Sequence, residues 1–182
     1  MQGQWPVTDD IHLRLLDETD SHELYELIEA NRAHLARWLP WAEGQTLGDT
    51  LDFIRRTRSQ LSDNDGFQAA IVLREDIVGV IGYHAIDWPN RSTRIGYWLD
   101  ERHQGRGTMT AAVRMLVDHA LSVWRLERVE IRAAVDNRRS RAIPERLGFR
   151  QERTLRQAET VGSRRLDSVI YSMLEADWRA TR

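Results

Sequence analysis

The stretch from Ile95 to Ala112 constrains the fold more than any other part of this sequence. It begins with an apolar, aromatic-rich run typical of a β-strand, passes through a polar turn that contains Gly105 and Gly107, and continues into an apolar periodic segment. In that segment apolar residues recur at the spacing of one helix face, namely Met109, Ala112, Val113, Leu116, Val117, Ala120 and Leu121. The pattern predicts a strand, a glycine turn and a helix in direct succession.

A glycine turn between a strand and a helix is suited to binding an anion. Glycine adopts backbone angles that are closed to other residues, and N–H groups at a helix N-terminus lie at the positive end of the helix dipole. Two common phosphate loops do not fit, because no Lys follows the glycines and Thr110 stands where a dinucleotide fingerprint has its third glycine. On these residues alone, a tight turn without a ligand is the alternative interpretation.

The composition restricts the class of protein. A chain of 182 residues, 41% hydrophobic and 30% charged, fits one globular domain, and the absence of cysteine excludes disulfides, thiolate metal sites and acyl-thiol intermediates. The net charge of -2 gives no general attraction to nucleic acid, so a contact with RNA would need a local patch. Arg138, Arg139 and Arg141 form a candidate patch, although a solvated helix face is the favoured explanation for them.

No apolar run approaches the length of a membrane span, and residues 1–10 lack the basic-then-apolar pattern of a signal peptide. We therefore expect a cytoplasmic protein without membrane contact. We assign residues 1–10 to an N-terminal tail and residues 11–178 to a single domain.

The alternation of apolar and polar residues, with helix start and stop signals, predicts the remaining elements. Strands are predicted at 11–16, 67–73, 77–86, 92–99, 127–135, 150–155 and 166–174. Helices are predicted from a cap at Asp20 or Ser21 to about residue 35, and over 47–61, 107–121 and 138–147. This order of elements predicts one mixed α/β domain.

Aromatic and polar residues cluster at two connections. Trp38 and Trp41 flank a proline after the first helix, where they either close the core beneath a loop or line a groove for an extended substrate. His84, Asp87 and Trp88 stand together at the end of a strand. One His and one Asp do not make a ligand set, so we predict no metal site.

Two motifs resemble those of a known family over nearly the whole chain. Arg102-x-x-Gly105-x-Gly107 is similar to the acetyl-CoA pyrophosphate loop of the Gcn5-related N-acetyltransferases (GNAT), and Asn137-x-x-Ser140 with Leu147-Gly148-Phe149 follows at the expected separation. The resemblance implies α/β (α+β) architecture, with helices flanking a mixed and mostly antiparallel central sheet of about seven strands. It also implies acetyl transfer from acetyl-CoA to a primary amine by direct attack.

Within this family the chain is most similar to the ribosomal-protein serine/alanine N-acetyltransferases of the RimJ/RimL type. The similar segments are Trp38–Trp41, Ile95–Leu99, Arg128–Arg132 and Leu155–Glu159. The resemblance implies that a peptide N-terminus is the acceptor, that a ribosomal protein is a partner, and that the chain forms a homodimer. It implies no direct contact with nucleic acid.

The resemblance also assigns the coenzyme site. The pyrophosphate is expected on the glycine turn, and a backbone N–H near Trp98 or Leu99 is expected to polarise the thioester carbonyl. The residues expected to bind acetyl-CoA are Trp98, Leu99, Arg102, His103, Gln104, Gly105, Arg106, Gly107, Thr108, Met109, Asn137 and Ser140. No metal is expected.

Many relatives place Tyr seven residues after the Asn of the second motif, as the acid that protonates the departing CoA thiolate. This chain has Pro144 there. Ser140 is the candidate replacement, and its alternative role is to cap the helix. Glu159 is the candidate general base, directly or through a water, with Glu130, His84 and Asp87 as rivals.

The resemblance places the acceptor in a groove with His34, Trp38, Trp41, His84, Asp87 and Trp88. A small-molecule amine, an antibiotic or an aminoacyl nucleotide is the alternative acceptor. A non-catalytic CoA-binding module is the alternative function, and Pro144 keeps it open because the usual acid is missing there.

Overall fold

Eight strands form one sheet in the computed structural model, which describes residues 4–181. The strands are β1 (Gln4–Pro6), β2 (Ile11–Leu15), β3 (Gln68–Leu73), β4 (Asp76–Asp87), β5 (Ser92–Leu99), β6 (Arg128–Ala134), β7 (Arg150–Val161) and β8 (Arg164–Leu174). Their order is β1-β2-β3-β4-β5-β6-β8-β7, and every neighbouring pair in the described part is antiparallel except β5 and β6. The predicted mixed, mostly antiparallel sheet is confirmed.

The parallel pair is short, and this opens the sheet in its middle. Ser92–Ile95 of β5 pairs with Arg128–Ile131 of β6. Beyond these residues β5 continues to Leu99 and β6 to Ala134 without pairing with each other. The carboxyl-terminal halves of the two strands therefore diverge and leave a gap between them.

Helices cover both faces of the sheet. They are α1 (Ser21–Leu35), α2 (Leu47–Ser62), α3 (Thr108–Asp118), α4 (Arg138–Arg146) and α5 (Glu175–Ala180). α3 and α4 pack in the larger core with residues such as Ile95 and Ile131, whereas α1 and α2 pack over β3 and β4 in a second core beside Trp98. A further helical turn, His119–Val123, continues α3. All seven residues of the predicted apolar face, which runs through α3 and this turn, are buried.

The structure differs from the sequence prediction at the two ends of the chain. Gln4–Pro6, within the predicted tail, forms an edge strand against β2, and residues 1–3 of that tail lie outside the described residues. The predicted strand at 150–155 continues to Val161, because a bulge between Leu155 and Glu159 breaks the alternation without ending the pairing. Helix α5 was not predicted, since six residues are too few to show a helical period.

In residues 4–181, none of the helices has both the length and the apolar character needed to span a membrane.

Candidate active site

A large cavity of about 1880 Å³ runs through the gap between β5 and β6. Its lining begins at the turn after β5 and the first residues of α3 and α4, and it continues to the other face of the sheet at α2, Trp38 and Glu159. The cavity thus joins the glycine turn on one side of the sheet to the predicted acceptor groove on the other.

The glycine turn has the geometry of an open anion cradle. Gly105 and Gly107 have φ values of 76° and 84°, in the left-handed region that favours glycine. No heavy atom lies within 4 Å of where a Cβ would stand on either residue, so the backbone is accessible from the cavity. Helix α3 has no side-chain cap. The N–H groups of its first turn therefore point toward the cavity end without a partner inside the helix.

A buried carboxylate holds this turn from behind. Asp100 is 1% exposed and accepts hydrogen bonds from the Arg102 backbone N–H at 3.2 Å, from Arg102 Nε, and from His103 Nδ1 at 2.9 Å. Burial alone would raise the pKa of Asp100, but the bonds from Arg102 and His103 outweigh it and lower that pKa. The Arg102 guanidinium is therefore ion-paired with the Asp100 carboxylate. Arg102 and Arg106 line a smaller neighbouring pocket and not the large cavity, and their assignment to the coenzyme site stays a prediction.

The two candidates for the backbone donor can be distinguished by strand alternation. The Asp100 N–H donates to Val78 O on β4 at 2.8 Å, and the β4–β5 register is regular from Gly79–Leu99 to Tyr83–Ile95. Successive N–H groups of a strand point to opposite sides. The Trp98 N–H therefore faces β4, and the Leu99 N–H faces the gap. Leu99, and not Trp98, offers a free donor there.

Gln104 connects three elements around this gap. Its Nε2 donates to Leu99 O at 3.2 Å and lies 2.9 Å from His34 Nε2, while its Oε1 accepts from Arg139 at 2.9 Å. Desolvation lowers the pKa of His34 and outweighs the opposing charge of Glu101. A neutral His34 accepts the Gln104 bond, so the predicted residue His34 fixes the turn against the end of α1.

The cap of α4 is Asn137, and this settles one alternative for Ser140. The Asn137 Oδ1 accepts from the Ser140 backbone N–H at 3.2 Å, so Ser140 lies in the first turn and is itself capped. Its hydroxyl donates to Tyr97 Oη at 3.4 Å on the side of β5. The alternative that Ser140 serves as the helix cap is corrected. Its hydroxyl lines the cavity at the gap.

Pro144 is buried inside α4 and changes the bonding of Ser140. A proline has no N–H, so it cannot donate to the carbonyl four residues earlier, which belongs to Ser140. The Tyr97 hydroxyl donates to that carbonyl at 3.1 Å instead. Burial raises the pKa of Tyr97 against the opposing bond from Ser140, so its hydroxyl remains protonated as a donor. Sequence reasoning missed Tyr97, although the proline inside a predicted helix already implied an orphan carbonyl.

Glu159 lines the cavity from the bulge of β7. Arg132 NH2 donates to Ala158 O at 2.8 Å, and Asp167 accepts from the Gln157 backbone N–H at 2.7 Å, where φ of Gln157 is 48°. These two contacts hold the irregular backbone beside the glutamate. The position of Glu159 therefore follows from a bulge that the sequence pattern did not reveal.

His84 lies over the middle of β5 on the acceptor face. A Cβ placed on Gly96 would be 2.2 Å from His84 Nε2, so only glycine at position 96 admits the imidazole. Although His84 is exposed as a whole residue, desolvation of its ring, reinforced by the charge of Arg94, lowers the pKa of His84. His84 is thus a neutral base candidate inside the cavity, as predicted.

The tryptophans divide between the cavity and the rest of the surface. Trp41 stands 6.3 Å from Trp98 between ring centroids, and both line the cavity. Trp38 lines it too and packs on the small cluster of Ala134, Val161 and Leu166. For Trp38 the two predicted roles, closing a core and lining a groove, therefore coexist.

Three predicted residues are not brought to the cavity. Asp87 accepts both from the backbone N–H and from the side-chain amide of Asn90, so it stabilises the β4–β5 turn. Trp88 donates to Asn64 O at 2.7 Å on the same outer surface. Glu130 forms an ion pair with Arg128. Asp87 and Trp88, assigned to the groove, therefore lie outside the cavity lining, and the Asp87 and Glu130 carboxylates already have partners, which disfavours both as bases.

The described residues contain no group of three or more His, Cys, Asp or Glu that could hold a metal ion. The other predicted coenzyme residues, Leu99, His103, Gln104, Gly105, Gly107, Thr108, Met109, Asn137 and Ser140, all line the cavity together with Trp98.

Comparisons with known proteins agree with this geometry. A family model described as an acetyltransferase (GNAT) domain matches residues 10–150. The putative ribosomal N-acetyltransferase YdaF of Bacillus subtilis is 38% identical over 178 residues, 97% of each chain. The ribosomal-protein-serine acetyltransferase of Escherichia coli is 31% identical over 170 residues, 92% of this chain and 94% of the relative. The structure of RimL, a ribosomal L7/L12 α-N-protein acetyltransferase in complex with coenzyme A, superimposes with a TM-score of 0.91 at 28% identity, covering 96% of this chain and 99% of RimL.

Proposed function

This chain belongs to the GNAT acetyltransferase family, and from that membership we propose that it moves the acetyl group of acetyl-CoA to the N-terminal α-amine of a ribosomal protein. One observation carries the proposal. The cavity is continuous from the Gly105–Gly107 turn, through the gap between β5 and β6, to Glu159 on the opposite face. Two substrates can therefore meet in the gap from opposite sides of the sheet.

The residues present fit acetyl-CoA. Backbone N–H groups at the start of α3 suit a pyrophosphate, and the open space at Gly105 and Gly107 lets phosphates approach the main chain. Asn137 and Ser140 line the cavity where the first turn of α4 reaches the gap. The coenzyme supplies an activated acetyl group as a thioester.

Three groups of the protein then serve the transfer. The Leu99 N–H donates to the carbonyl oxygen as negative charge develops there. The amine nitrogen bonds to the carbonyl carbon, the C–S bond breaks, and Glu159 accepts the proton that the amine releases. The Ser140 hydroxyl gives its proton to the departing thiolate and is reprotonated from solvent, to which Glu159 releases the proton that it accepted. Ser140 and Glu159 have these roles by resemblance and by their place in the cavity.

Replacing Ser140 by Ala tests its role as acid. We expect kcat to fall by about a hundredfold, within the range of a general acid, with little change in the KM for acetyl-CoA. Ser122→Ala, at an exposed serine just after α3, is the matched control. An unchanged kcat in Ser140→Ala would reduce Ser140 to a lining residue.

The acceptor is tested with intact-mass measurement. The enzyme is incubated with acetyl-CoA and unacetylated bacterial ribosomes, and fragmentation then locates any added acetyl group. We expect one ribosomal protein to gain one acetyl group on its α-amine. If no ribosomal protein changes mass while a small amine is acetylated, the acceptor assignment is wrong and the small-molecule alternative is correct. The homodimer, the cytoplasmic location and the lack of direct nucleic acid contact stay predictions; light scattering measures the first.

A further inference from the structure

Two groups of arginines can be distinguished in residues 4–181, and seven further arginines belong to neither group. Ten arginines in residues 4–181 form ion pairs with carboxylates, and none of these ten lines the cavity. Eight arginines line the cavity, and within the same range none of the eight is ion-paired. The eight arginines of the cavity lining thus lack an ion-pair partner in the described chain, although the net charge of the protein is -2.

The coenzyme accounts for only part of this charge. Arg114, Arg138, Arg139 and Arg146 lie on α3 and α4, around the proposed pyrophosphate end. They are suited to the phosphates of acetyl-CoA. Arg37 lies over the Trp38 ring at 5.5 Å. Three further arginines lie on other elements, and they need a different explanation.

Arg56, Arg94 and Arg132 line the acceptor half of the cavity. Arg94 lies on the face of β5 that carries Trp98, because side chains two and four residues apart share a face. Arg132 lies on the face of β6 that carries Ala134, and Arg56 comes from α2 above that face. Among the carboxylates that line the cavity, only Glu159 belongs to this half.

Arg132 and Arg128 show the contrast within one strand. Arg128, four residues earlier on the same face of β6, is neutralised by Glu130 and Glu152. Arg132 has no such partner in the described chain; it donates to Ala158 O, and its buried Nε has no hydrogen-bond partner. A guanidinium held in place without a carboxylate can attract an anionic ligand.

We propose that this half of the cavity selects acceptor peptides with carboxylate side chains in the first few residues after the reacting N-terminus. The inference rests on the proposed function and names its substrate class. Arg94 is five residues from Leu99 along β5, roughly 17 Å in a strand, and the long arginine side chain spans part of that distance. A carboxylate at the second to fourth position of the acceptor therefore comes within reach of Arg94 or Arg132.

The test uses a pair of peptides of equal shape. One begins Ser-Glu-Asp-Glu, the other Ser-Gln-Asn-Gln, with the same neutral continuation. Exposed ion pairs each contribute a small factor, so two or three together favour the acidic peptide by roughly tenfold in kcat/KM. The preference should shrink as salt concentration rises, because salt screens exposed charges.

Variants connect the preference to this surface. Arg94→Gln is expected to reduce the preference several-fold through the peptide KM, without changing the KM for acetyl-CoA. Arg94→Glu is expected to favour a third peptide that begins Ser-Lys-Asn-Lys. Arg150→Gln, at an exposed arginine of β7 outside the cavity, is the matched control and is expected to leave the preference unchanged.

The outcomes separate this inference from the proposed function. Equal kcat/KM for the acidic and amide peptides would overturn the inference and leave N-terminal acetylation intact. A preference that Arg94→Gln does not reduce would assign the selection to another surface and overturn it as well. If neither peptide is acetylated while acetyl-CoA binds, the proposed function fails, and this inference fails with it.

Discussion

Tyr97 and Pro144 form a compensating pair that a double-mutant cycle can test. Pro144 deprives the Ser140 carbonyl of its helical donor, and the Tyr97 hydroxyl supplies a replacement at 3.1 Å. Tyr97→Phe removes that hydroxyl and keeps the ring. Pro144→Ala restores an N–H in α4 that can donate to the same carbonyl. The cost of losing the hydroxyl should therefore depend on which residue occupies position 144.

The expected magnitude follows from the bond and its surroundings. A partly buried carbonyl that loses a donor costs about 1–2 kcal/mol in the free energy of unfolding. With Ala at position 144, the helix supplies the donor, and Tyr97→Phe should cost less than about 0.5 kcal/mol. The coupling energy is then about 1 kcal/mol. Pro144→Ala alone also removes buried apolar volume, so its own change in the free energy of unfolding does not enter the comparison.

Urea unfolding followed by tryptophan fluorescence measures all four proteins. Tyr25→Phe on α1, in both backgrounds, is the control and should show no coupling with position 144. The kinetics add a second readout. If Tyr97 also orients the Ser140 hydroxyl, Tyr97→Phe lowers kcat by less than about tenfold and leaves the KM for acetyl-CoA unchanged. An equal stability cost of Tyr97→Phe in the two backgrounds would refute the compensation.

Three further predictions concern the acceptor face and acid stability. Gly96→Ala places a Cβ against the His84 ring and must displace the ring, so kcat/KM for the acceptor should fall at least about tenfold. Acetyl-CoA should still stabilise this variant in a thermal melt. Unchanged kinetics would show that the position of the His84 ring is unimportant. Glu159→Gln should lower kcat by about a hundredfold and His84→Ala should lower it much less, whereas the reverse result would make His84 the base. Burial lowers the pKa of His34, His84 and His119, so the unfolded chain binds more protons once the pH falls through 6.5. The urea concentration at the unfolding midpoint should therefore be highest above pH 6.5 and fall toward pH 5.5. In a variant with Gln at all three positions this midpoint should fall less.

The glycine turn and the second motif were predictable because their physical requirements are local. A turn that needs positive φ requires Gly105 and Gly107, and the apolar period of α3 follows directly. The position of Glu159 depends on a bulge with a positive φ at Gln157. The residue types in this segment do not predict that conformation. Asp87 and Trp88 were adjacent to His84 in sequence, but the β4–β5 turn carries them to the outer surface. The sequence thus predicts which elements exist more reliably than which faces meet across the gap.

Pairing across strands explains the residues that sequence reasoning missed. Tyr97 and Ser140 are 43 residues apart, and their contact exists only because β5 and α4 meet at the gap. The unpaired state of Arg94 and Arg132 likewise becomes visible only when the carboxylates of neighbouring strands are located. A chain with 26 basic side chains gives no indication in its sequence of which of them lack a partner.

Acetyl transfer in this cavity depends little on any single side chain. An α-amine has a reference pKa of about 8, so roughly a tenth of it is already neutral at pH 7 without a base. Holding that amine beside a thioester within one enclosed cavity supplies much of the rate through proximity. The Leu99 N–H and the Ser140 hydroxyl then act on the two atoms that gain negative charge. For this reason Glu159→Gln should remove a factor of about a hundred rather than all activity, and its residual rate should rise when the acceptor amine has a lower pKa.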